Sequence, residues 1–255
     1  MDSGRWAAAD DEAFFEPALV IAVERGLGAT VLRLRLDEVA QFLPGQYYLV
    51  SMAIDMPPGT VQQAYSVCSS PYPPSAEIEL AVREVPGGRA SPLLARQVGV
   101  GDLLQVRGPF GFLTWTEQDG GPLGLVGAGS GVAPLASIVR YAAARHVEIP
   151  ITLLCSSRSR ETVLLARELT ALRRLRWFRL AQTYTRSPQD GSARYHRRID
   201  AAMLADVMGT GAGAGDGPAP TSFYLAGPAE MVLSAREAIE ELAIPEVEVY
   251  SEDHA

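Results

Sequence analysis

The sequence contains no lysine; all 22 of its cationic side chains are arginine. That excludes a Schiff-base lysine and a Walker-type phosphate loop, both of which depend on the amine. Only two cysteines occur, Cys68 and Cys155, too few for a disulfide framework or a four-thiolate iron–sulfur cluster. Positive charge is in deficit, and the formal net charge of −8 argues against a nucleic-acid-binding surface. There is no long uninterrupted apolar run either. The most apolar stretch, residues 123–139, holds four glycines and Pro134, and so reads as a strand, tight turn and helix rather than a membrane span. Residues 1–13 lack the basic-then-apolar pattern of a secretory signal and read as a mobile tail, so the expected setting is cytoplasmic.

What is present is ordinary globular material, 47% hydrophobic and 20% charged, in a chain of 255 residues that favours two modest domains. From Ala18 to about Gly111 the signals are strand-like. Residues 31–36 alternate with period two, residues 45–52 are aromatic and β-branched, and residues 77–85 alternate again, with one short helix expected over 90–97. Beyond a polar connector at 116–121 the rhythm changes. Apolar strands at 123–126, 151–155, 177–183 and 222–225 are each followed by a helical pattern, at 134–144, 161–172, 200–208 and 229–242, before a last strand at 247–250. Such repeats imply a doubly wound, mostly parallel sheet. The Gly/Ala/Pro run 209–220 reads as a flexible loop. The expected organisation is a tail over 1–13, an antiparallel β-barrel over 14–118 and a parallel-sheet α/β domain over 119–255.

Three segments carry chemistry. Gly127, Gly129, Ser130, Gly131 and Pro134 lie in a strand-to-helix turn whose free N–H groups and helix dipole suit a pyrophosphate, although packing alone also selects such glycines. Gln63, Tyr65 and Ser66 close a strand, offering a ring to stack and hydroxyls to bond. Gly87, Gly88, Arg89 and Ser91 open a helix and can present donors to phosphate. Taken singly, the last two sets also fit a strand end and a capped helix. Ser156, Ser157 and Arg158 follow one strand, and Thr185 and Arg186 the next. Two arginines there can clamp a phosphate through paired, charge-assisted bonds, while solvated strand-end charges are the plainer alternative.

In order along the chain stand Pro44-Gly45-Gln46, Tyr65-Ser66, Gly87 to Ser91, Gly108-Pro109-Phe110-Gly111, Gly127 to Pro134, Gly227-Pro228 and Tyr250-Ser251-Glu252-Asp253. This series resembles the ferredoxin reductase-like flavoprotein family over about residues 17–254, without an iron–sulfur domain. The resemblance implies a flavin-binding barrel followed by a nicotinamide-dinucleotide domain. It implies that Tyr65 stacks on the isoalloxazine, that Ser66 bonds near its N5, and that Gly87 to Ser91 hold the flavin phosphates, with Val82 among the cofactor-binding residues. It further implies that Gly129, Gly131 and Pro134 cradle NAD(P)H, that Gly227 and Pro228 lie near the nicotinamide, and that Glu252 positions or protonates. The chain departs from the family pattern at three places: Gln63 stands for an arginine, Ala226 for a cysteine, and His254 for an aromatic residue covering the flavin.

The leading expectation is an oxidoreductase that carries electrons from NADPH or NADH through FAD, rather than FMN, to a ferredoxin, an oxygenase component or a small acceptor. The alternatives are a scaffold repurposed for non-redox cyclase or isomerase work, motivated by the three departures, and a regulatory subunit that binds flavin within a complex. No metal site is expected.

Overall fold

The computed structural model describes residues 15–55, 58–188, 190–209 and 218–253. Its first half is a six-stranded antiparallel sheet built from β1 (Glu16–Arg25), β2 (Thr30–Arg35), β3 (Tyr47–Asp55), β4 (Pro58–Ser66), β5 (Glu77–Val82) and β6 (Leu103–Phe110), in the order β4-β3-β6-β1-β2-β5. An antiparallel bridge between Val67 and Leu80 joins the two outer strands and closes the sheet toward a barrel. The period-two pattern explains the closure. Leu32 and Leu34 on β2 point inward to meet Val20, Val50, Ile78, Leu80 and Val106 in one buried cluster, while the intervening residues face out. Among the described residues of this half the α-helix is α1 (Ser91–Arg96), which follows the Gly87-Gly88 turn.

The second half is a five-stranded parallel sheet of β7 (Leu123–Ala128), β8 (Ile151–Ser157), β9 (Phe178–Tyr184), β10 (Ser222–Gly227) and β11 (Glu248–Asp253), in the order β11-β10-β7-β8-β9. Every residue of β7 and β10 is buried, as strands covered on both faces must be. Alternate side chains serve two cores. Leu125, Leu153 and Tyr224 pack under α2 (Val132–Ala144) and α3 (Ala166–Leu172). Val126, Leu154 and Phe223 pack under α4 (Ala201–Met208) and α5 (Ala229–Glu241).

Helix α2 lies between its own sheet and the barrel, and its residues 132–139 are all buried. The cluster beneath it includes Cys68, Ala81, Leu113 and Trp115 from the first half. Polar contacts fix the seam. Ser137 Oγ donates to the Ser69 carbonyl at 2.7 Å, and Arg140 donates to the Cys68 carbonyl at 2.7 Å and to Glu79 at 2.8 Å. Glu79 also accepts from Arg33 at 2.6 Å. Burial alone would raise the Glu79 pKa, but the facing Arg140 and Arg33 outweigh it, and the carboxyl is held below its usual range.

The expected helix over 161–172 is shorter in the structure. Residues 160–162 form a separate 3-10 turn, tied off where Ser159 N–H donates to Thr162 Oγ1 at 3.0 Å. Leu165 then adopts a left-handed φ of 55°, so α3 starts at Ala166. The extended backbone at Val163 receives the β1–β2 turn; a Cβ on Gly28 would lie 2.6 Å from the Val163 carbonyl oxygen. Strand β11 runs three residues further than expected, which brings Ser251, Glu252 and Asp253 into the sheet beside Leu225, Ala226 and Gly227. Residues 210–217 of the Gly/Ala/Pro run, and His254, lie outside the described residues.

Candidate functional site

Two cavities adjoin at the seam. The first, about 880 Å³, opens where β3 begins and β4 ends and where the loops after β5 and β6 gather. Register places Tyr47 opposite Ser66 and Tyr48 opposite Tyr65, and period-two spacing puts Gln63 and Tyr65 on one face of β4. The structure brings Gln63, Tyr65, Ser66, Gly88, Arg89, Ser91, Ser130 and Glu252 together in this lining. The Tyr65 hydroxyl is buried and has no hydrogen-bond partner among the described residues. Burial pushes its pKa up to about 12, so at neutral pH it is a donor waiting for an acceptor. Ser66 is buried beside it.

The loop after β5 is preset. Gly88 N–H donates to the Val85 carbonyl at 2.9 Å, and Ser91 Oγ accepts from Val85 N–H at 3.0 Å. Gly87 turns the chain with a φ of 77° and has open space around it, although it does not itself line the cavity. The far wall comes from the other sheet. A Cβ at Gly111 would lie 3.3 Å from Glu252 Oε2, so the β11 carboxylate reaches across to the barrel loop.

The second cavity, about 930 Å³, lies over the carboxyl ends of the parallel strands, the edge at which open α/β sheets bind ligands. Gly129, Ser130, Ser156, Arg158, Thr185 and Pro228 line it, as does Val82, whose side chain belongs to the barrel core. Gly129 has a left-handed φ of 59° and opens the 3-10 turn that leads into α2. Arg83, Val85 and Ser130 line both cavities.

Several residues singled out by sequence line neither cavity. Gly131 packs against the Ala226 carbonyl, which leaves no room for a Cβ, and a Cβ at Gly127 would meet Leu135 at 2.9 Å. Pro134 and Ala226 are buried in packing, and Gly227 is backed by Met231 and Ala128. These positions shape the turn rather than face its opening. Arg186 is exposed and outside the lining; its backbone N–H donates to the Arg158 carbonyl at 2.9 Å, while Arg198 stands in the cavity wall.

Sequence reasoning passed over Arg83 and Arg198. Arg83 follows β5 directly, lies against Gly129, and is half-buried. Its proton affinity is lowered by burial and by the like charge of Arg158. A lone cation continuing an alternating strand into a glycine loop was the available signal.

Both cavities fall in the size range of roughly 300–1,000 Å³ typical of small-molecule sites. The unpartnered Tyr65 hydroxyl and the half-buried guanidinium of Arg83 are the groups a large anionic ring-bearing ligand would satisfy, so the residues present fit a flavin dinucleotide in the first cavity.

Comparison with known proteins agrees with this layout. Residues 26–115 match the model described as an oxidoreductase FAD-binding domain, and residues 125–237 match that described as an oxidoreductase NAD-binding domain. The chain is 33% identical over 213 residues to a ferredoxin–NADP reductase B of Sorangium cellulosum (strain So ce56), covering 83% of this chain and 84% of that one. It is 33% identical over 146 residues to the ferredoxin–NAD(P)(+) reductase component of the naphthalene 1,2-dioxygenase/salicylate 5-hydroxylase systems of Ralstonia sp, covering 55% of this chain and 41% of that relative, which is thus spanned over less than half its length. A solved ferredoxin NADP+ reductase from Neisseria gonorrhoeae with bound FAD and NADP shares the fold, with a TM-score of 0.76 at 22% identity over 95% of this chain and 99% of that one.

Proposed function

The chain belongs to the ferredoxin–NADP reductase family of flavoproteins, and from that premise we propose that it is an FAD-dependent NAD(P)H oxidoreductase delivering electrons to a separate ferredoxin or oxygenase component. The observation that carries the reading is the pair of cavities with a common wall at Arg83, Val85 and Ser130, which sets a flavin site and a nicotinamide-nucleotide site side by side. Bound FAD would supply the capacity to accept a hydride and pass its electrons on. The protein supplies binding, orientation and electrostatics.

Tyr65 gives a ring face and a neutral hydroxyl donor, Ser66 a second donor beside it, and the Gly87 to Ser91 segment backbone N–H groups with Arg89 at its exposed edge. Glu252 spans the cavity from β11 and limits how a ring can sit. In the second cavity Arg158 and Arg198 are placed to meet a 2′-phosphate, which favours NADPH. The two buried cysteines of this chain cannot hold a four-thiolate cluster, so electrons pass to a centre elsewhere.

We keep the division between the two units at residues 118 and 119 and place the protein in the cytoplasm; among the described residues no helix is long and apolar enough to cross a membrane. The relatives are reductases, and no observation favours the cyclase or isomerase reading. The test is a spectrum and a titration. Purified protein, as isolated or after incubation with FAD, should show bound-flavin absorbance that bleaches anaerobically with NADPH. A protein that cannot be loaded with flavin, or whose bound flavin neither NADPH nor NADH bleaches, refutes the proposal.

A further inference from the structure

The parallel sheet ends at β9, which pairs with β8 on one side only. Ile151 N–H donates to the Trp177 carbonyl at 2.8 Å and Thr185 N–H donates to the Ser157 carbonyl at 2.9 Å. The odd-numbered residues between them therefore bond inward to β8, and Phe178, Leu180, Gln182 and Tyr184 turn their backbone groups outward. At its carboxyl end the chain covers this outer edge itself. A parallel bridge joins Thr183 to Tyr195, and Tyr184 N–H donates to the Tyr195 carbonyl at 3.0 Å. The cover stops there. The N–H groups of Leu180 and Gln182 and the Leu180 carbonyl meet no partner among the described residues. Residues 178–182 instead line a groove of about 420 Å³ that shares no lining residue with either cavity above.

Three arginines reach the groove from three places: Arg173 just past α3, Arg179 on β9, and Arg194 from the segment before α4. The lining holds no carboxylate, in a chain whose 30 acidic side chains outnumber its 22 cations. Arg194 is held by Asp206 of α4 at 2.7 Å, whereas the side chains of Arg173 and Arg179 have no hydrogen bond or ion pair with another described residue. A bare strand edge is commonly blunted by a single charge that keeps other strands away. Guanidiniums converging from three elements do something more specific, because they turn away basic strands and favour an acidic one. We propose that this half of β9 is a docking strip for an acidic, extended segment of a partner protein, which adds to the sheet as a further strand with its carboxylates against the arginines. Backbone pairing supplies the affinity, and the exposed ion pairs, each weak alone, select the sign of charge. A segment lying in this groove leaves the lining of both cavities free.

The probe is a short blocked peptide in which glutamate alternates with threonine, titrated into the full chain by calorimetry at low ionic strength. Two peptides serve as comparisons: one alternating lysine with threonine, and one alternating glutamate with proline, which has the same charge but lacks the N–H groups a ladder needs. The glutamate–threonine peptide should bind at least about tenfold more tightly than either, and should slow amide exchange at Leu180 and Gln182. Arg179→Glu should weaken it at least about tenfold, since a like charge then faces the incoming strand. Arg173→Glu/Arg179→Glu should instead gain binding of the lysine–threonine peptide, an outcome that a misfolded variant cannot produce. No binding of the glutamate–threonine peptide, equal binding of the proline peptide, unaltered exchange at Leu180 and Gln182, or binding indifferent to Arg179→Glu each overturns the proposal. Citrate or pyrophosphate binding that excludes the peptide also overturns it, and makes the groove a small-anion site. Self-association of the wild type that Arg179→Glu abolishes overturns it in favour of a second copy of this chain, whose opposite edge strand β11 carries Glu248 and Asp253.

Discussion

Replacing Tyr65 by phenylalanine removes one hydroxyl and keeps the ring. In the ligand-free protein that hydroxyl is buried with no partner among the described residues, and a buried unsatisfied polar group costs about 1–3 kcal/mol. Losing it should stabilise the apo form, by about 2–4 °C in melting temperature for each kcal/mol in a protein of this size. With FAD bound the sign reverses. The hydroxyl, kept protonated by burial to a pKa of about 12, then donates to the ligand, and its loss should weaken FAD about threefold to tenfold. The assay pairs differential scanning fluorimetry of deflavinated wild type and variant with flavin titration of both. Opposite signs are the signature. An apo variant that melts lower than wild type, or one that binds FAD as tightly, would refute the idea that this hydroxyl is held in reserve for a ligand.

Other outcomes follow from the same geometry. Arg158→Ala and Arg198→Ala should each weaken NADPH more than NADH, while Arg186→Ala leaves the preference within about twofold, as binding titrations with both nucleotides would show. Gly131→Ala should lower expression and melting temperature sharply, since the new methyl meets the Ala226 carbonyl. Gly87→Ala, with open space but a positive φ, should cost only about 1 kcal/mol. Glu79→Gln should destabilise the seam at neutral pH. Because the folded pKa of Glu79 is depressed, its contribution is complete above the unfolded value near 4.5 and is lost as pH falls through the lower folded value. The melting-temperature gap between wild type and Glu79→Gln should therefore close below about pH 4.5; a gap constant with pH would count against the ion pairs.

Much of the fold was legible because its periods are clean. Thr30, Leu32 and Leu34 announce a half-buried strand, and the wholly apolar run after residue 122 announces one buried on both faces. The helix expected over 161–172 was misjudged because Ser159 and Thr162 close a turn of their own and Leu165 takes a left-handed conformation, neither of which apolar spacing records. Of the candidate site, the glycine loop, Tyr65 and Ser66 could be read from neighbouring residues. Arg198 could not, because it faces a cavity whose other walls are distant in sequence, and Arg83 offered only the signal of a cation at the end of an alternating strand. The Gly127 to Pro134 turn teaches the converse. Its spacing is as expected, yet Gly127 and Gly131 are small because Leu135 and the Ala226 carbonyl press on them, and Gly129 alone of the three faces the opening.

Helix α2 is enclosed on one side by the strands it follows and on the other by Cys68, Ala81, Leu113 and Trp115, with Arg140 and Ser137 stitched to the chain at residues 68, 69 and 79. Prying the halves apart like a clam shell would bare that apolar face and strip the half-buried Arg140 guanidinium of its partners in the same motion. A ligand would therefore reach the cavities through their mouths, past side chains and short loops, with the seam left closed. Severing the chain between the sheets would yield two fragments that each display one half of an unfinished core, prone to clump and short-lived in a cell.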